Sequence, residues 1–182
     1  MTSETPLPRV LPVSQVLGAA ALGDVVSMLV SASRDADLCD ATYLPPRMGR
    51  AQATRWLDER PPTSWVVYID ETPAGWYELS VPKGELDVGL PDRTGLFERE
   101  VWLLPAHRGH GLIRQCTELL RPEFDAHGVE LILGVAWETN TSAIRAMQHQ
   151  GFKFLDRTWW SSKDATEQGW CEAWVLDLAA QR

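Results

Sequence analysis

Cysteine is scarce in this 182-residue sequence, and its three copies, Cys39, Cys116 and Cys171, form no Cys-x-x-Cys pair. An odd number without metal-ligand spacing excludes a disulfide framework and gives no reason to expect a zinc site, which makes the cytoplasm the default compartment. Positive charge is also in deficit, with 17 Lys and Arg against 25 Asp and Glu and a formal net charge of -8. That balance opposes the basic face a nucleic-acid binder needs and suits a cationic or amine substrate. Long apolar runs are missing too. The stretch from Val16 to Val30 is interrupted by Asp24, and Met1-Thr2-Ser3-Glu4-Thr5 carries no basic n-region. Neither a membrane span nor a signal peptide is expected. No internal repeat occurs.

What is present is a hydrophobic content of 45%, enough for one domain over residues 1–182 with a substantial core. Residues 1–9 read as a loose tail before a short strand near Val10 to Pro12. Apolar residues at Val16, Leu17, Ala20, Ala21, Val25, Met28 and Leu29 predict one helix to about Ser31. Residues 34–49 are mixed, and Ala51 to Glu59 predicts a second helix stopped by Pro61-Pro62. Trp65 to Ile69 and Ala74 to Ser80 read as a hairpin. A long irregular connection over 81–96 leaves room for a short strand around Glu85 to Val88. Leu96 to Leu104 returns as a strand. A helix begins near Gly111, kinks at Pro122 and ends at Gly128. The apolar run Leu131 to Ala136 reads as a central strand covered on both faces. A helix capped by Asn140 or Thr141 runs to Gln150, and Phe152 to Ser161 with Trp170 to Leu178 makes a last hairpin.

The segment Val101 to Leu112 carries the chemistry. A strand turns through Gly109 and Gly111 into a helix, and the N–H groups of a helix N-terminus have no intrahelical partner. With the positive end of the helix dipole they form an anion site, and glycine lets the backbone approach closely. A plain tight turn explains the same dipeptide pattern equally well, so the surrounding motifs decide.

Glu98-x-x-x-Trp102-Leu103-x-Pro105-x-x-Arg108-Gly109-x-Gly111 and Asn140-x-x-Ala143-Ile144 leading to Gly151-Phe152 stand in an order and spacing that resembles the GNAT-type acyl-CoA N-acyltransferases. Within that superfamily the pattern is most similar to the ribosomal-protein N-terminal acetyltransferase branch. The resemblance implies an α/β fold, a mixed and largely antiparallel sheet of six to seven strands with helices on both faces. It implies acetyl-CoA or another acyl-CoA as co-substrate, no metal, and direct transfer to a primary amine of a small molecule or peptide. Trp102, Leu103, Leu104, Arg108, Gly109, His110, Gly111, Leu112 and Asn140 are the implied cofactor-binding residues, with a backbone N–H near Leu103 polarising the thioester carbonyl. Glu98 is the implied base, with Glu100 as fallback and Glu138 third; Glu98, Glu100 and Trp102 share one strand face. A lysine-type amine, with a pKa near 10.4, needs a base more than an α-amine near 8 does.

The pattern also departs from the family. Met147 stands where a tyrosine general acid is common and Ala143 where another branch has serine, which leaves Ser142 and Tyr77 as candidate acids. Ala106 replaces the usual glutamine or arginine, and Ile113 a small residue. These departures keep two other readings open. One is a non-catalytic acyl-CoA-binding module, since function resides in sites and not in folds. The other is an acyltransferase with a carrier-protein or aminoacyl-tRNA donor, against which the acidic charge speaks. The nine tryptophans are also open to two readings: Trp76, Trp102 and Trp137 pack the core or shape an acyl pocket. Trp159, Trp160, Trp170 and Trp174 pack the last hairpin or form a homodimer surface. His107 and His110 read as exposed loop residues or phosphate contacts, and Cys116 as a buried small hydrophobe.

Overall fold

A computed structural model describes residues 7–82, 94–161 and 168–181. The elements in chain order are β1 (Pro8–Pro12), α1 (Val13–Leu17), α2 (Leu22–Ala32), α3 (Ala36–Asp40), α4 (Arg50–Asp58), β2 (Ser64–Ile69) and β3 (Thr72–Ser80). There follow β4 (Leu96–Leu103), α5 (Leu112–Leu119), α6 (Arg121–Ala126), β5 (Leu131–Trp137), α7 (Thr141–His149), β6 (Lys153–Ser161) and β7 (Gln168–Asp177). The short strand expected around Glu85 to Val88 lies outside the described residues. Seven strands hydrogen-bond in the order β1-β2-β3-β4-β5-β7-β6. β4 and β5 pair in parallel, whereas β1–β2, β2–β3, β5–β7 and β6–β7 are antiparallel. This is the mixed, largely antiparallel α/β sheet the resemblance implies. No described helix is long and apolar enough to cross a membrane.

Three elements differ from the sequence reading. The helix expected from Val16 to Ser31 is two helices, α1 and α2, because Gly18 closes the first and residues 19–21 form a turn. Val16, Val25 and Leu29 still share one buried cluster, so periodicity reported the face but not the break. The mixed segment after residue 34 contains α3, whose N-cap is Asp35: its carboxylate accepts the Leu38 N–H at 3.1 Å. The helix expected to kink at Pro122 is interrupted instead, with α5 ending at Leu119 and α6 starting at Arg121. Pro122 has no N–H to continue the ladder, which is the physical reason. The first strand also begins earlier than expected, at Pro8, where it pairs with Ile69.

The chain divides into two compact units, Met1–Glu78 with Glu100–Pro122, and Leu79–Arg99 with Glu123–Arg182. In the first unit, Val66, Tyr68, Trp76 and Trp102 project from β2, β3 and β4 into one cluster with α1, α2 and α4. Trp56 of α4 packs on Trp76 with ring centroids 4.8 Å apart. The opposite face carries Trp65 and Tyr77, with ring centroids 6.2 Å apart. The Tyr77 hydroxyl lies 3.2 Å from Thr117 Oγ1 of α5. Helices therefore cover both faces of β3. Each large apolar side chain fully buried in this way stabilises the fold by about 1.5–3 kcal/mol.

In the second unit, β5 joins β4 through Leu96↔Leu131, Phe97↔Ile132 and Glu98↔Leu133, and joins β7 along its whole length. α7 lies over Gly134, where an added Cβ would meet Met147 Sδ and sit 3.4 Å from the Phe152 ring.

β3 and β4 meet closely. The Leu104 N–H donates to the Ala74 carbonyl at 2.8 Å, so the start of β3 faces the end of β4 and the neighbours run antiparallel. At Gly75 a Cβ would collide with the Trp102 carbonyl oxygen and come within 2.6 Å of Leu103 Cδ2. The first obstacle is backbone and has no rotamer to yield. Gly75→Ala is expected to destabilise the protein by about 1–3 kcal/mol, the range for overpacking, measured by urea unfolding. Gly134→Ala, opposed first by a flexible methionine terminus, is expected to cost less.

Candidate active site

The first unit contains the glycine turn. After β4 the chain makes one tight turn over Pro105–His107 and reaches Gly109 and Gly111, at φ 83° and 70°. Both values lie in the left-handed region that L side chains disfavour, which is why glycine stands at each. A Cβ at either would meet nothing within 4 Å, so the space before the turn is open. Gly111 is the N-cap of α5 and no side chain caps that helix. Leu112 anchors its first turn at 1% exposure. An uncapped helix N-terminus behind two left-handed glycines fits a pyrophosphate: the first N–H groups of a helix have no intrahelical partner and its dipole favours negative charge.

The side chains around the turn have other partners. Arg108 Nε donates to the Leu103 carbonyl at 2.8 Å, and its guanidinium pairs with Asp35 at 3.3 Å. Its charge ties the loop to β4 and to the start of α3. His107 is half-buried and His110 exposed. Leu103 is buried and Leu104 packs against the cluster under α2 and α4. Because the Leu104 N–H is directed at β3, strand alternation turns the Leu103 N–H to the opposite edge of β4.

Glu98 and Glu100 are both buried, at 8% exposure each, on the face of β4 that carries Trp102. Glu100 and Trp102 belong to the first unit, Glu98 to the second. Trp102 and Trp76 are core residues of the α2–α4 cluster, and Trp137 is half-buried. Trp159 and Trp170 are exposed, edge to face with each other at 5.5 Å.

Within the second unit, the Asn140 side chain accepts the Ala143 N–H at 3.1 Å and so caps α7. That decides between the two caps the sequence allowed. Ser142 is exposed in the first turn of α7. Met147 is buried over Gly134. Glu138 accepts from Arg157 Nη2 at 2.6 Å, and that bond raises the Arg157 pKa. Tyr77, weighed as an acid, is fully buried with its hydroxyl at Thr117, on the sheet face opposite Trp76. Among the described residues no group of three or more His, Cys, Asp or Glu gathers as metal ligands. Sequence reasoning missed the Asp35–Arg108 pair, for which the only local signal was a cap-forming residue before Ala36, and the Glu78 site. There a buried carboxylate accepts from Ser64 Oγ at 3.1 Å and lies 3.7 Å from Arg60.

Cys116 is fully buried in α5, and burial pushes its thiol from an ordinary value near 9 up to about 12. A neutral thiol at neutral pH is a poor nucleophile. The folded protein keeps this proton where the unfolded chain loses it, so the contribution is intact below pH 9 and is lost as pH rises from 9 toward about 12. Native protein is expected to resist iodoacetamide at Cys116 at pH 8, while urea-unfolded protein is labelled fully, as read by peptide mass spectrometry.

The model of the family described as "Acetyltransferase (GNAT) family" matches residues 31–152. No curated protein sequence matches the chain. Solved structures do. A GNAT-family acetyltransferase from Streptococcus pneumoniae superimposes with TM-score 0.64 at 12% identity, covering 94% of this chain and 98% of that one. YncA of Salmonella typhimurium, a putative acetyltransferase solved with acetyl-CoA, gives 0.65 at 16% identity over 95% and 94%. The aminoglycoside acetyltransferase AAC(6')-Ib, solved with ribostamycin and coenzyme A, gives 0.64 at 18% identity over 98% and 96%.

Proposed function

This chain belongs to the GNAT acetyltransferase family, and we propose that it transfers an acetyl or other short acyl group from CoA to the primary amine of a small molecule or peptide. The observation that carries the reading is the uncapped N-terminus of α5 behind Gly109 and Gly111. Those backbone N–H groups would hold the CoA pyrophosphate, with Arg108 keeping the loop in place through Leu103 and Asp35. The structures of YncA with acetyl-CoA and of AAC(6')-Ib with an aminoglycoside and CoA support the cofactor class and a small-molecule amine.

When bound, an acyl thioester supplies an electrophilic carbonyl carbon and a thiolate leaving group. The chain's own groups do the rest. Glu98 takes the proton from the attacking nitrogen, directly or through water, as the N–C bond forms and the C–S bond breaks. The outward Leu103 N–H donates to the carbonyl oxygen as negative charge develops there. Met147 is buried, Ser142 exposed and Tyr77 held against Thr117. A thiol with a pKa about 8.5, like that of free cysteine, leaves well as the thiolate, so an acid at those positions is dispensable.

Gly109→Asp tests the cradle. Aspartate tolerates the left-handed backbone better than most residues, so its main effect is to put a carboxylate where the phosphates sit. Acetyl-CoA affinity is expected to fall 100-fold or more in calorimetry with little change in melting temperature; unchanged affinity removes the basis of the reading. Glu98→Gln is expected to lower kcat 100-fold or more and leave acetyl-CoA affinity within about twofold. A thiol-release assay over a panel of amines separates an enzyme from a binding module, which retains CoA thioester without releasing CoA.

A further inference from the structure

Arg108 holds the backbone group beside the amide that would meet the acyl oxygen. The Leu104 N–H is bound to the Ala74 carbonyl of β3, and the two polar groups of a trans peptide point in opposite directions. The Leu103 carbonyl therefore faces away from β3. The Trp102 carbonyl oxygen, against which a Cβ at Gly75 would collide, faces β3. The Leu103 N–H, across that second trans peptide, faces away as well. Both polar groups of Leu103 thus stand side by side on one edge of β4, with N and O about 3 Å apart in an extended residue. Left alone, the carbonyl oxygen would be the negative end of a dipole next to any anion bound at the N–H. It is not left alone: Arg108 Nε donates to it at 2.8 Å. Arg108 Nη2 lies 3.3 Å from one carboxylate oxygen of Asp35, whose other oxygen accepts the Leu38 N–H. The guanidinium is fixed at two points, one on β4 and one at the start of α3.

We propose that Arg108 is a positioning residue for the acyl carbonyl, acting through Leu103, and that Asp35 fixes its guanidinium for that task. The charged hydrogen bond sets the orientation of the Leu103 carbonyl and replaces a repulsive dipole end by a positive charge. An oxygen that accepts from the Leu103 N–H lies within about 5 Å of that charge, inside the ~10 Å over which salt screens such interactions. The attraction grows as the N–C bond forms and negative charge develops on the oxygen, so it acts on turnover more than on donor binding. An arginine that only gripped the phosphates would show the reverse, weaker CoA binding with turnover kept. The inference rests on the acetyltransferase reading for the identity of the oxygen, and on the contacts of Arg108 for the rest.

The test uses acetyl-CoA carrying 13C at the thioester carbonyl, read by difference infrared spectroscopy when bound to the full chain, alongside thiol release over the amine panel. In the wild type the bound carbonyl band is expected below that of free acetyl-CoA. Arg108→Gln removes the charge and is expected to return most of that shift and to lower kcat about tenfold or more. Its acetyl-CoA affinity in calorimetry is expected to stay within about threefold, and its melting temperature to move little. Arg108→Lys, which keeps the charge, is expected to recover part of both the shift and kcat. Asp35→Asn keeps the α3 cap, since asparagine caps as well as aspartate, and is expected to lower kcat about threefold with a smaller loss of shift. If Arg108→Gln does not fold, the bands of Arg108→Lys and Asp35→Asn decide the matter. Arg108→Gln with the wild-type band and kcat overturns the proposal, as does a loss of affinity with kcat kept. A wild type that releases CoA without any band shift overturns it too and leaves the transferase reading standing. A shifted band without CoA release from any amine would sink the transferase reading and keep the carbonyl contact.

Discussion

The close approach of β3 and β4 at Gly75 governs most of the first unit. Only a residue without a Cβ lets the Trp102 carbonyl and the Leu103 side chain come so near. From that contact follow the bond between Leu104 and Ala74, the register that sets Trp76 beside Trp102, and the outward direction of the Leu103 N–H. The turn that follows inherits its starting point from the same bond. Arg108 then reaches back to the Leu103 carbonyl and closes the loop on the strand that launched it. A backbone spacing thus sets the position of groups that act through their amides.

Parts of this arrangement were legible in the sequence because they are written in residue types that permit few conformations. Gly109 and Gly111 announced a turn that lets the backbone approach closely, Asn140 or Thr141 announced a helix cap, and the apolar run from Leu131 announced a central strand. All three have local physical causes. The breaks in the helices were harder: apolar periodicity runs through Gly18, since α1 and α2 bury residues in one cluster, and apolar residues continue to Leu120 beyond the end of α5. The pairing of Arg108 with Asp35 was invisible, because a contact between residues that far apart depends on the fold being complete.

The candidate site was legible in its backbone and much less in its side chains. Glu98, Glu100 and Trp102 fall on one strand face by simple alternation, and all three are buried. Alternation could not say that Trp102 would join the helical cluster. Nor could spacing show that Tyr77 is committed to Thr117 on the other face, or that Glu138 is engaged by Arg157. Composition pointed to an acidic chain. The structure shows two of those acids, Glu78 and Glu100, buried in the first unit.

Asp35 uses both of its carboxylate oxygens. One accepts the Leu38 N–H at the start of α3, and the other meets the Arg108 guanidinium of the glycine turn. Two segments separated by 73 positions in the chain thereby share the free energy of a single side chain. By reciprocity, whatever steadies the turn steadies the first turn of α3 to the same degree, and a loosening of α3 is felt equally at the turn. The helix cap and the loop latch are one thermodynamic element.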